Sequence, residues 1–119
     1  MTAYQGTHLL ADLHGCAGLD DAALIEGALR DAAAAAGATV LDVRLHRFGP
    51  GAGVTGVALL AESHISIHSW PEHGYAAIDI FLCGARHDPQ AALVVLRDRL
   101  KATRAETHEI ARGYGALVG

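Results

Sequence analysis

A chain of 119 residues that is 51% hydrophobic and 18% charged, with a formal net charge of −4, is composed to bury one modest core. It is too apolar for a disordered chain and too acidic for a nucleic-acid-binding footprint. Met1 to Thr7 lacks the basic and apolar regions of a secretory signal, and no apolar run nears the roughly 20 residues that span a bilayer, so a soluble, cytoplasmic, single domain over residues 1–119 is expected, without membrane or nucleic-acid partners. Cys16 and Cys83 are too few for a disulfide framework and lack metal-ligand spacing, so free thiols and no metal are expected.

In chain order, His8 to Leu13 reads as a first strand closing at Gly15-Cys16-Ala17-Gly18. Asp20 is placed as the N-cap of a helix running to about Ala36, with Leu24, Ala28, Ala32 and Ala35 on the buried face and Gly37 as terminator. Ala38 to Phe48 alternates as a strand with one wet face. The loop Gly49-Pro50-Gly51-Ala52-Gly53 leads to an apolar strand, Val54 to Leu60. A Ser/His-rich strand follows, then a turn at Pro71 to Gly74 and a strand from Ala76 to Cys83. Asp88-Pro89 marks a second helix start, with Leu93, Leu96 and Leu100 at helical spacing to about Lys101. Thr103 to Ala111 closes the chain as a further strand. The order β-α-β-β, then β-β-α-β, predicts an α+β two-layer sandwich: a mostly antiparallel sheet, two helices on one face, and a pseudo-repeat of β-α-β units. If the other sheet face is apolar, it predicts a dimer.

The densest chemistry lies in Glu62-Ser63-His64-Ile65-Ser66-Ile67-His68-Ser69-Trp70-Pro71-Glu72, which sets hydroxyls and imidazoles between apolar strands. On a strand His64 and His68 share a face but stand about 13 Å apart, too far to hold one ion. Hydrogen bonding within a polar sheet face is the alternative for both. Cys83 ends an apolar strand, where a thiol is often only a small hydrophobe; a nearby His68 on the adjacent strand would make it reactive. Gly51-Ala52-Gly53-Val54-Thr55-Gly56 matches a dinucleotide fingerprint literally. A strand rather than a helix follows it, so a loop between strands is the better reading.

The run from Glu62 to Asp79, followed by Phe81-Leu82-Cys83-Gly84 and joined by His8-Leu9-Leu10-Ala11, Gly37-Ala38-Thr39 and His46-Arg47-Phe48, resembles the bacterial-type S-adenosylmethionine decarboxylase proenzymes. The resemblance covers His8 to about Gly113. It implies that the Ser63 hydroxyl attacks the Glu62 carbonyl, that the resulting ester breaks by β-elimination, and that a β chain of residues 1–62 and an α chain of residues 63–119 result. Ser63 then becomes a covalently bound pyruvoyl group, which holds the substrate amine as a Schiff base and accepts the electrons left by departing CO₂. By the same resemblance His68 and the Thr55 hydroxyl serve processing, Cys83 is the proton donor in turnover, Phe48 stacks on adenine and Glu72 binds ribose hydroxyls.

The implied function is decarboxylation of S-adenosylmethionine for spermidine and polyamine synthesis by a homodimer of processed protomers. The same pyruvoyl chemistry acting on arginine or ornithine is the alternative, and a silent subunit that activates a paralogue is a third reading. Thr55 stands where Ser is usual, the glycine loop after Phe48 is about one residue longer, and Asp12-Leu13-His14 replaces a glutamate followed by two aromatic residues.

Overall fold

The computed structural model describes residues 4–83 and 86–114. Its elements are β1 (Tyr4–His14), α1 (Ala22–Ala35), β2 (Val40–Arg47), β3 (Val54–Leu60), β4 (Ser63–Trp70), a 3₁₀ turn (Pro71–His73), β5 (Tyr75–Cys83), α2 (Pro89–Arg99) and β6 (Arg104–Tyr114). The strands form one sheet in the order β2-β3-β4-β5-β1-β6, and every pairing is antiparallel.

Strand periodicity explains the layers. Leu9, Ala11 and Leu13 of β1, Val54, Ala58 and Leu60 of β3, Ile65 and Ile67 of β4, and Ala76, Ile78, Ile80 and Leu82 of β5 are all buried. Registers such as Ala58 opposite Ile65, Ile65 opposite Ile80 and Leu9 opposite Ile80 put them on one face. The helices cover that face, and each fully buried Leu or Ile side chain contributes about 1.5–3 kcal/mol. Gly56 makes room here, since a Cβ would lie 2.3 Å from Leu45 Cδ2.

Helix α1 begins one residue later than the sequence suggests. Asp21, not Asp20, is the N-cap: its backbone is extended and its side chain accepts the Leu24 N–H at 3.1 Å. The buried stripe is Ile25, Ala28, Leu29, Ala32 and Ala33, while Leu24 is half-buried and Ala35 exposed. The two large side chains, Ile25 and Leu29, decide which face turns inward, and the alanines let the layers approach. Gly37, at φ 82, ends the helix as expected.

Asp88 caps α2 through the Gln90 and Ala91 N–H groups at 3.1 and 3.2 Å, with Pro89 in the first turn. Leu93, Leu96 and Leu100 are buried. The helix stops at Arg99, short of the expected Lys101, which takes a left-handed φ of 57. No described helix is long and apolar enough to cross a membrane.

The second sheet face carries alternate residues: His8, Leu10 and Asp12 of β1, Thr55, Val57 and Leu59 of β3, His64, Ser66, His68 and Trp70 of β4, and Tyr75, Ala77, Asp79 and Phe81 of β5. None of these is buried in the single chain. His64, Ser66 and His68 of the motif therefore share the face that the helices leave open, whereas Ser63 and Ser69 alternate onto the other, where Ser69 is buried.

Candidate active site

Strands β3 and β4 are joined by Ala61-Glu62 alone, since Leu60 pairs with Ser63. Closing so short a hairpin places Glu62 at φ 66. This left-handed conformation costs a residue with a β-carbon about 1–2 kcal/mol, and it falls on the residue directly before Ser63. The Ser63 hydroxyl donates to the Ala61 carbonyl at 3.2 Å. Because His64 faces Phe81, the same ladder carried two steps beyond its end sets Glu62 opposite Cys83.

Arg86, which nothing in the sequence pattern singled out, bonds Glu62 Oε2 at 2.8 Å. The Cys83 side chain and then the Glu62 carboxylate hold the guanidinium above its ordinary pKa. One cation thus ties together the Glu62 carboxylate and the Cys83 thiol. Cys16 has no comparable setting; burial pushes its thiol up, which leaves it protonated and unreactive.

His68 and Thr55 lie at the other end of β4. They pair across β3 and β4, with Thr55 Oγ1 3.1 Å from His68 Nδ1. The hydrogen-bonded reading of His68 is thereby met, but its expected approach to Cys83 is not. His68 faces Ala77, six residues along β5 from Cys83, a separation of about 20 Å at strand rise. Sequence proximity to Ser63 misleads in the same way, since five residues of extended strand cover about 16 Å.

A cavity of about 440 Å³ opens at the His68 end, lined by Phe48, Thr55, His68, Trp70 and Glu72 among others. Phe48 is 63% exposed and its ring meets His46 edge-on at 4.7 Å. An acidic side chain and an exposed aromatic face in one cavity suit a ligand with hydroxyls and a flat ring. The glycine loop supplies its rim: Gly53 and Ala52 line the cavity, and β3 begins at Val54. No helix follows the G-x-G-x-x-G match, which removes the dinucleotide reading.

Between the two ends, His8 Nε2 lies 2.7 Å from Asp79 Oδ1, and Arg112 reaches His8 Nδ1 at 3.2 Å while stacking over Phe81. His8, His64 and Asp79 have ligand atoms within 4.8 Å of one another. Arg112 only donates, so Nδ1 accepts and Nε2 carries the proton given to Asp79. With no lone pair left at Nε2, this trio is a hydrogen-bonded strut rather than a metal site. Neither His8 nor Arg112 stood out in the sequence as a pair, because the strand order that joins β1, β5 and β6 is tertiary information.

The assembled features define an α+β protein whose central hairpin strains a carbonyl next to a serine at one end of β4, with a nucleoside-sized cavity at the other end of the same strand. The family model for S-adenosylmethionine decarboxylase matches residues 7–113. The S-adenosylmethionine decarboxylase proenzyme of Thermomicrobium roseum is 46% identical, covering 91% of this chain and 93% of that one. The proenzyme of the same name from Synechococcus sp. (strain WH7803) is 54% identical over 95% of this chain and 89% of that one. The crystal structure of the adenosylmethionine decarboxylase from Aquifex aeolicus superposes with a TM-score of 0.83 at 35% identity, covering 99% and 98%. The chain belongs to the S-adenosylmethionine decarboxylase family.

Proposed function

We propose that this chain is a self-cleaving, pyruvoyl-dependent decarboxylase of S-adenosylmethionine, whose product donates aminopropyl groups to spermidine and related polyamines. The observation that carries this reading is the left-handed backbone at Glu62, directly before Ser63, in a chain about half identical to decarboxylase proenzymes. A strained carbonyl beside a hydroxyl nucleophile is what cleavage of an unactivated peptide bond requires.

Ser63 Oγ attacks the Glu62 carbonyl carbon and displaces the Ser63 nitrogen, so the amide becomes an ester. Loss of the Ser63 α-proton then expels the Glu62 carboxylate, ending one chain at residue 62. Water takes the nitrogen away as ammonia and leaves a ketone at position 63. The pyruvoyl group so formed supplies an electron-accepting carbonyl for decarboxylation. Around it, Cys83 returns a proton to the substrate carbon, Phe48 stacks on the adenine, and Glu72 receives the ribose hydroxyls.

His68 and Thr55 are too far from Ser63 of their own chain to serve it. A homodimer resolves this. When two open sheet faces meet about 10 Å apart across a two-fold axis lying between them and perpendicular to the strands, the His68 end of one β4 falls on the Ser63 end of the other. Thr55 and His68 of the partner subunit then handle protons in processing, and two identical sites arise from one symmetry operation.

Mass spectrometry of purified protein tests the reading, with fragments 1–62 and 63–119 expected and the second lacking a free amino terminus. Released CO₂ from S-adenosylmethionine, but not from arginine or ornithine, is the expected companion result. An uncut polypeptide sinks the pyruvoyl mechanism, and CO₂ from a basic amino acid alone sinks the substrate.

A further inference from the structure

Cys83 is the more buried of the two thiols, 7% exposed where Cys16 is half-buried. Burial alone pushes the Cys16 thiol up, and the same desolvation acts harder in the drier place. A proton donor at Cys83 leaves a charge on sulfur that its surroundings must stabilise. What Cys83 has and Cys16 lacks is a cation fixed beside it.

The backbone sets that cation. The turn after β5 folds back on Cys83, whose carbonyl accepts the Arg86 N–H at 3.1 Å and the His87 N–H at 2.9 Å. The Asp88 N–H then donates to the Ala36 carbonyl at the end of α1 at 3.1 Å, so the turn is pinned on both sides. From it the Arg86 guanidinium reaches Glu62, which stands opposite Cys83 across the ladder. An arginine rooted at the Cys83 carbonyl and bonded to the residue facing Cys83 runs beside the thiol. The hold of the Cys83 side chain on the guanidinium agrees with that path, and such an attraction is mutual.

The other charged groups of this corner are differently engaged. Glu62 alone would oppose a thiolate, and its bond to Arg86 offsets this. Cys83 faces Gly6, and Gly6 faces Arg112, but Arg112 is spent on His8 and Phe81. His8 and His64 both stand opposite Phe81, a diagonal step from the thiol, and Asp79 is bonded to His8. The His87 ring lies beside Gly37. In the dimer, His68 of the partner subunit joins this end.

We propose that Arg86 is a positioning residue for the proton-donation step, fixing the Cys83 side chain and stabilising the negative charge left on sulfur when its proton passes to the substrate carbon. This rests on the role given to Cys83 under Proposed function. Loss of CO₂ leaves an electron pair for the α-carbon; the S–H bond breaks, a C–H bond forms with that pair, and the S–H electrons stay on sulfur. Solvent then returns a proton to the thiolate, so each CO₂ released consumes one proton.

Cleavage sorts the two thiols, Cys16 into fragment 1–62 and Cys83 into fragment 63–119, so mass spectrometry after iodoacetamide labelling at graded pH reads each separately. In the processed wild-type enzyme Cys83 should become reactive at a lower pH than Cys16, despite its deeper burial. Arg86→Gln should raise the Cys83 midpoint by about one pH unit. The alkaline limb of kcat should move up with it, while kcat below the limb falls about fivefold and KM stays within about twofold. Arg86→Lys should restore most of each. Imidazoles titrate below a thiol, and guanidinium and carboxylate groups far from it, so that limb reports the sulfur. If Arg86→Gln slows self-cleavage yet leaves the Cys83 midpoint and the limb in place, Arg86 merely holds the hairpin; the proposal is overturned and the decarboxylase reading stands. If Cys83→Ala keeps full turnover, the donor role falls and the proposal with it. Should Arg86→Gln fail to fold or to cut, the wild-type comparison decides: a Cys83 that titrates with Cys16 or above it overturns the proposal.

Discussion

At Glu62 one side chain is asked to occupy a conformation that suits glycine, φ 66, and it is held there by Arg86 at 2.8 Å. If this strain raises the ground state for attack by Ser63, relieving it should slow cleavage. Glu62→Gly is expected to stabilise the uncut chain by about 1 kcal/mol, read from its denaturant midpoint, and to slow self-cleavage about fivefold. An unchanged cleavage rate would leave strain without a role. Tyr75 gives a second residue-scale expectation. The hydrogen bond to Asp12, then burial, push its phenol up to about 12. A pKa raised in the folded state means that stability is fully present below about pH 10 and is lost as pH climbs toward 12. Alkaline titration should therefore show a late-ionising tyrosine in absorbance, and Tyr75→Phe should remove both that step and its share of the alkaline loss of stability. Ser63, Phe48 and Glu72 entered the reading through the family resemblance, and Cys83 also through its place at the end of an apolar strand, since a hydroxyl, an aromatic ring or a carboxylate alone does not declare a role. Their grouping was not legible: that Arg86 joins Glu62 to Cys83, and that His68 is remote from both, depends on register between strands.

The elements were largely readable, and each miss has a local cause. Val54–Leu60 and the start at Asp88-Pro89 appear as expected because apolar runs and Pro-containing caps constrain the backbone by themselves. Asp20 was the expected cap, but Asp21 beside it is the same residue type, and the burial of Ile25 and Leu29 selects the later one. Asp21→Ala should thus destabilise the protein by about 1 kcal/mol, whereas Asp20→Ala should change little. Paired chemical denaturation curves separate the two, and equal losses would reject the assignment. Strand β6 is the element least determined by its own residues, for a physical reason. It is an edge strand, exposed along nearly its whole length, so packing imposes little alternation on it. Its pairing with β1 over eleven positions, Tyr4–Tyr114 to His14–Arg104, comes from the backbone ladder instead.

For the molecule as a whole, the order β2-β3-β4-β5-β1-β6 gives the proposed cleavage after Glu62 a consequence. Strands β1, β2 and β3 belong to residues before the cut, and β4, β5 and β6 to residues after it. Strand β1 of the first chain is clasped between β5 and β6 of the second, and β3 also pairs with β4. Three ladders and a shared core join the two pieces, so they should migrate together in native chromatography and part only in denaturant. Assembly of two such protomers then makes a sharper demand. If the proton-handling His68 acts on the partner subunit, a chain carrying His68→Ala still has an intact Ser63 and needs only a neighbour with an intact imidazole. Co-expressing distinguishably tagged His68→Ala and Ser63→Ala chains should therefore yield cleavage of the His68→Ala chain, although each variant alone stays largely uncut. In a heterodimer only one of the two sites has both groups, so cleavage should reach about half of the His68→Ala chains when the two pair at random in equal amounts. A mixture that stays as uncut as the separate variants would mean that each protomer serves itself, which the roughly 16 Å of extended strand between Ser63 and His68 does not permit without a rearranged β4.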